Sequence, residues 1–247
     1  MRYMALAYGL VSYVLFLGAF LYSIGFVGDL LVPKGIDVPL SDAVWQRALI
    51  QDAVLLLLFA VPHSVMARPQ FKAWWTKIVA PPLERSTYVL VSSLLLIALF
   101  WWWIPIPRVI WEVGMPALRT VVWGLFWAGW LLALVSTFLI DHFDLFGLRQ
   151  VYLYWAGRPY ETIPFRTPLL YRWVRHPLIL GFLIAFWAAP TMTGGRLLFA
   201  VATTAYCLVA LQLEERDLLH FYGEQYAGYQ RQVRMLAPIP RRTRGGR

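Results

Sequence analysis

Apolar residues come in six runs along the 247-residue chain, separated by polar or proline-rich stretches. Crossing a hydrocarbon core about 30 Å thick takes roughly 20 mostly apolar residues in a helix. Four runs reach that length, at about 5–28, 43–66, 87–104 and 117–140, and each predicts a transmembrane helix. A shorter run at 177–190 and a fuller one at 196–213 follow, divided only by residues 191–195, "TMTGG", which predicts a tight helical hairpin. The expected fold is an all-α, polytopic integral membrane bundle of five to six transmembrane helices. It reads as one domain: four helices over 1–140, a connection at 141–176, the hairpin at 177–213, then an amphipathic helix and basic tail over 214–247. In that last part Leu218, Tyr222, Tyr226, Tyr229 and Val233 recur at steps of three or four, the mark of one helix face. Such a helix lies on the headgroups or covers a pocket. The first run exceeds the roughly 7–15 residues of a signal-peptide core, so it is expected to stay as a helix.

Composition agrees. The chain is 60% hydrophobic and 14% charged, against roughly 45–50% and about 25% in soluble domains. The net charge of +9 does not point to nucleic acid, because the basic residues lie between apolar runs and form no stripe. They report topology instead. With the N-terminus inside, 17 of the 22 Lys and Arg fall on the inner side, the bias that cytosolic segments carry. Both termini are therefore expected in the cytosol. Trp101, Trp102, Trp103 and Trp111 then fall at the outer interface, where an aromatic belt is expected. The single Cys207 lies in an apolar run and reads as a small buried hydrophobe. The four histidines are too scattered for a local metal cluster, and no metal is expected.

Three polar constellations could carry chemistry. Arg175-His176-Pro177, followed by Gly181, stands where the short apolar run begins. Pro177 suits a first helical turn, so the two basic side chains precede a helix N-terminus that favours anions. Arg175 could instead be a snorkelling anchor. Glu214-Glu215 ends the last run, and the hairpin returns it to the same membrane face. That acidic pair either ion-pairs with Arg172 or Arg175 or grips a cationic or hydroxyl-bearing ligand. Third, Asp141 and His142 close the fourth run, and His63 lies near the inner end of the second. Histidine titrates near neutrality, so His142 or His63 could accept a proton, with Asp141 orienting or charging the ring. Phe143, Tyr154 and Tyr160 are bulky neighbours that could close a small cavity.

These elements occur in a familiar order. "RHPLILG" (175–181), the hairpin, "EERDL" (214–218) and "YGEQYAGYQRQVRMLAP" (222–238) resemble the C-terminal half of isoprenylcysteine carboxyl methyltransferases and phospholipid methyltransferases. The pattern there is Arg-His-Pro-x-Tyr-x-Gly, and Ile179 stands here in place of its aromatic residue. Upstream, "HSVMARPQFK" (63–72) and "DHFDLFGLRQVYL" (141–153) look closer to the bacterial methanethiol S-methyltransferases and the related NnrU-type proteins. The resemblance implies an enzyme that methylates a small thiol, with S-adenosylmethionine as methyl donor and the bilayer as its setting. It places Arg175, His176, Pro177, Gly181, Glu214 and Glu215 on the cofactor-binding elements. An isoprenylcysteine or phospholipid substrate, a nicotinamide-dependent reductase sharing the C-terminal fold, and a non-catalytic NnrU-like protein are the alternatives.

Overall fold

The structure is a computed structural model and describes residues 1–39 and 44–238. The start of the second run at residue 43, part of the 29–42 connection and the basic tail from 239 lie outside the described residues.

Among the described residues, five helices are long and apolar enough to cross a membrane: α1 (Arg2–Gly28), α2 (Trp45–Met66), α4 (Pro81–Trp102), α5 (Pro116–Ile140) and α9 (Gly194–Tyr222). The chain is an integral membrane helical bundle. Short helices α3 (Pro69–Trp75), α6 (His142–Leu145) and α7 (Leu148–Trp155) fill the connections at the basic end of the bundle. Helix α8 (Pro177–Trp187) precedes α9, and α10 (Glu224–Gln232) follows it. Proline opens α3, α4, α5 and α8, where its missing N–H costs nothing and its fixed φ favours the first turn.

Two elements differ from the sequence expectation. The supposed tight turn at 191–195 holds a strand, β2 (Thr191–Thr193), paired antiparallel to β1 (Val109–Glu112) from the preceding connection. Helix α8 has 11 residues, about 16 Å of rise, or half a hydrocarbon core. The non-helical residues 188–193 lead on to the start of α9. Non-helical backbone at membrane depth must find partners within the protein, and β1 supplies them. Val113 N–H reaches Pro190 O at 2.8 Å and Gly194 N–H reaches Arg108 O at 2.8 Å. The apolar stretch 177–190 is thus an 11-residue helix followed by non-helical chain that leads into β2.

The second difference is at the other end. Helix α9 does not stop at 213 but continues through both glutamates to Tyr222. Gly223, with φ 55°, then breaks the chain, and α10 folds back on a new axis. The expected single tail helix is two pieces, although its aromatic face still turns inward, with Tyr226 only 2% exposed.

Helix α8 packs closely on α5 through small residues in the same spacing on both, Gly129 and Ala133 against Gly181 and Ala185. A Cβ on Gly181 would lie 2.6 Å from Ala133 N and 2.6 Å from Gly129 O, both backbone atoms. Close backbone approach of this kind is how membrane helices gain dispersion contact when lipid removes the hydrophobic drive between them. At the end remote from the basic face, Arg196 is clasped by Asp37 at 2.6 Å, by Asp29 and by Val27 O at 2.7 Å. Trp103 is buried there and donates to Ile36 O at 3.1 Å. It belongs to the core and not to an interfacial belt, whereas Trp101, Trp102 and Trp111 are exposed.

Candidate active site

The basic end gathers side chains from α2, α4, α8, α9, α10 and the loop before α8. Its centre is Arg175, whose exit from the helix axis follows from Pro177 starting α8 two residues later. Arg175 Nε donates to Glu215 Oε1 at 2.7 Å and Nη2 donates to Oε2 at 2.9 Å, a two-pronged pair. Its Nη1 is directed to the carbonyls of Gln230 and Val233. His176 Nε2 lies 3.1 Å from Glu215 Oε1, and Gln230 Nε2 donates to Glu215 Oε2 at 2.8 Å. Arg175, His176 and Glu215 are all buried. A buried pair survives only when its remaining donors and lone pairs are satisfied, and here they are.

Arg175 therefore pairs with Glu215, the inward member of the glutamate pair. Glu214 is one helical step round, half-exposed, and 3.8 Å from His176 Nδ1. Arg172 is exposed and takes no part in the cluster. The tail is tied to the same stretch by main chain: Arg175 N–H reaches Arg234 O at 3.0 Å and His176 N–H reaches Met235 O at 3.2 Å. Tyr229 adds a hydroxyl bond to Tyr171 O. Phe165, from the loop before α8, packs its ring among Tyr222, Tyr226 and Tyr229. Residues 222–236 thus form a lid on the Arg175 cluster. A cleft of about 280 Å³ lined by Arg172, Trp173, Gln232 and Val233 opens beside it. A larger open groove lies at the far end, between the start of α2 and the end of α4, and none of these side chains line it.

The two candidate bases are in different surroundings. His63 on α2 meets two hydroxyls of α4, with Nδ1 3.0 Å from Ser92 Oγ and Nε2 2.9 Å from Tyr88 OH. Phe59 stacks on its ring and Tyr206 of α9 stands edge-on. Arg85 lies over Tyr88, 5.4 Å from the ring centroid, and Glu214 is a charge neighbour of both Tyr88 and Tyr206.

His142 is buried in a box of rings: Phe138 stacks at 4.2 Å, and Tyr13, Phe143 and Phe146 stand edge-on. Thr137 Oγ1 donates to Leu134 O at 2.7 Å, so it can only accept from His142 Nδ1, 2.8 Å away. The tautomer is thereby fixed, and Nε2 takes the Tyr13 hydroxyl at 2.8 Å. Asp141 does not hold this ring. Its Oδ1 accepts from Asp144 N–H at 3.1 Å and caps α6. Burial holds the His142 imidazole below its ordinary 6.5, the Asp141 charge partly opposing. The unfolded imidazole then takes a proton at a higher pH than the folded one. Stability should be complete above about 6.5 and fall as pH drops toward the folded value. The midpoint of thermal unfolding in detergent, followed from pH 7.5 to 5, checks this, and His142→Gln should flatten part of the slope.

The remaining expected residues are dispersed. Phe143 flanks His142. Tyr154 lies under Arg2, and Tyr160 sits beside Arg149 with its hydroxyl 3.4 Å from Asp144 Oδ2. Pro177 starts α8, and the bare Cα of Gly181 faces α5, which gives that glycine a packing task. Tyr88, Ser92, Tyr206 and Gln230 were not anticipated. Only their position on helix faces next to named residues could have flagged them.

Comparison with known proteins agrees with the motif order. The NnrU protein family matches residues 53–225. A methanethiol S-methyltransferase of Mycobacterium tuberculosis is 57% identical over 98% of this chain and 98% of its own length. One from Crocosphaera subtropica is 50% identical over 96% of this chain and 93% of its own. Nurim of Rattus norvegicus is 32% identical over 80% of this chain and 77% of its own. No solved structure matches the chain. From residues 53–225 it belongs to the NnrU protein family, and by identity along nearly its whole length to the family of the methanethiol S-methyltransferases.

Proposed function

We propose that the whole chain is one catalytic unit that methylates methanethiol to dimethyl sulfide with S-adenosylmethionine as donor. The reaction runs at the basic end of the bundle, on the cytosolic side of a bacterial inner membrane, with both termini in the cytosol. The observation that carries this reading is the buried Arg175–Glu215–His176 cluster under its tyrosine lid, in a chain so similar to proteins named for that activity.

The donor set suits a molecule that carries both an ammonium and a carboxylate. Glu214 offers a half-exposed carboxylate beside His176, fit for an ammonium or a ribose hydroxyl. The guanidinium of Arg175 is filled by Glu215 and the lid carbonyls, so it acts on the pocket by holding Glu215 and the lid in place. An anionic group finds its match at Lys72 and Arg85. Burial pushes the Lys72 ammonium below its ordinary value, and the neighbouring Arg85 charge pushes it further. Two crowded cations of this kind attract an anion. S-adenosylmethionine supplies an electrophilic methyl group on a sulfonium.

The chain's own residues must deprotonate the thiol and exclude water. A small alkyl thiol has a pKa near ~10, above the reference Cys value, so forming its thiolate at neutral pH costs roughly 4 kcal/mol. His63 is the better acceptor. Its hydroxyl partners, Ser92 and Tyr88, can each donate or accept, so the ring gains a proton without losing a bond. His142, locked between Thr137 and Tyr13, instead ties α1 to the end of α5. The rings of Phe59, Tyr88 and Tyr206 pack around His63 and help to exclude water. The proton leaves through His63, and the products are dimethyl sulfide and S-adenosylhomocysteine.

Headspace detection of dimethyl sulfide from purified protein with both substrates tests the function. His63→Ala should cut turnover about 100-fold or more, within the range for a lost acid–base group, while S-adenosylhomocysteine still binds. His142→Ala should cost stability first. No volatile product from the parent protein would sink the functional reading, and full turnover by His63→Ala would sink the assignment of the base.

A further inference from the structure

Tyr226 is the odd member of the lid. Its neighbours place their hydroxyls well: Tyr229 donates to Tyr171 O, and Tyr171 donates to Ser136 O at 3.3 Å. Tyr226 is 2% exposed, yet its hydroxyl oxygen is buried with no hydrogen-bond partner among the described residues. An orphaned buried hydroxyl forfeits its hydration for nothing. The ring is held edge-on by Phe165 and Tyr229, so the hydroxyl cannot swing out to water. Gln230, one turn further along α10, donates to Glu215 Oε2 at 2.8 Å, so Tyr226 lies on the helix face that meets the centre of the site.

We propose that Tyr226 is a binding residue for the methyl donor, its hydroxyl oxygen accepting from the ligand's ammonium or ribose hydroxyl beside Glu214. Two carboxylates close by would repel the ligand's carboxylate, so the hydrogen-bond-donating part of the ligand is the part that meets Tyr226. The inference rests on the proposed use of S-adenosylmethionine. Burial also raises the hydroxyl above its ordinary value, so Tyr226 stays neutral at working pH and can serve as an acceptor. The unmet hydroxyl is a cost borne by the free protein and relieved on binding.

This assigns opposite signs to two measurements on one variant. Tyr226→Phe should raise the thermal midpoint of the ligand-free protein in detergent by about 2–4 °C. It should also weaken binding of S-adenosylhomocysteine, measured by calorimetry, by roughly tenfold, the worth of one hydrogen bond to a charged or hydroxyl donor. Tyr229→Phe, which breaks a made bond, should lower the midpoint. A second probe, 5′-methylthioadenosine, lacks the amino acid portion. Affinity lost for both probes places Tyr226 at the ribose, and affinity lost for S-adenosylhomocysteine alone places it at the ammonium. A lower midpoint for Tyr226→Phe, or unchanged affinity for both probes, overturns the assignment. If the unsubstituted protein binds neither probe, the donor reading itself fails, and that result is distinct from the other two.

Discussion

Replacing Arg175 with alanine should leave the protein unable to bind S-adenosylhomocysteine and less stable by about 3–5 kcal/mol, the cost of stranding one partner of a buried ion pair. Side-chain exposures of 4% for Arg175 and 10% for Glu215 make this a desolvated pair, so solvent screening does not dilute the effect. Arg172→Ala, three residues earlier on an exposed surface, should change neither quantity appreciably. The informative variant is the double replacement Arg175→Met with Glu215→Leu. Without either charge, no buried ion is stranded, and stability should largely return. Ligand binding should not, because the lid carbonyls of Gln230 and Val233 and the imidazole of His176 have lost their partner. Calorimetry and thermal unfolding on the four proteins separate the two roles. If the double variant bound the ligand normally, the pair would be a fold element alone.

Gly181→Ala should be the most damaging single-methyl addition in the bundle. The new Cβ would lie 2.6 Å from two backbone atoms of α5, and backbone cannot rotate aside as a side chain does. Overpacking of this order costs about 3 kcal/mol. It would also push α8 outward and displace Arg175 and His176 at its foot, so methyl transfer should fall with stability. Gly124 of α5 makes the control, since a Cβ there meets nothing within 4 Å. Gly124→Ala should stabilise by roughly 0.5–1 kcal/mol through helix propensity. Equal effects of the two changes on the unfolding midpoint would refute the close-packing account.

Hydropathy located the long helices well because lipid permits few alternatives to a continuous apolar helix. It failed where that constraint lapses. The end of α9 was set at 213 because Glu214 and Glu215 are charged, yet a carboxylate paired with Arg175 is no reason for a helix to stop. The half-helix with its strand escaped notice because Thr191, Met192 and Thr193 look like a turn unless the partner strand, some eighty residues upstream, is known. For the site, the Arg175 and Glu215 motifs were legible and their meeting followed from the hairpin. Which glutamate faces Arg175 depends on helix phase, and Thr137 and Tyr13 hold His142 through contacts of 5 and 129 residues' separation. Adjacency in sequence suggested that Asp141 served His142, but local geometry gave that carboxylate to the next helical turn.

The incomplete span of α8 also bears on how the protein is made. Its 11 residues are too few to partition into a bilayer as an independent transmembrane unit, and residues 188–193 would enter with bare peptide groups. The partners for those groups in β1, and the close-packed face of α5, both precede α8 in the chain. What the Arg175 motif lacks as it emerges is Glu215 on α9 and the carbonyls of the tail, which come later in the chain. The Arg175 cluster can therefore close only once α9 and residues 222–236 have followed α8 into place.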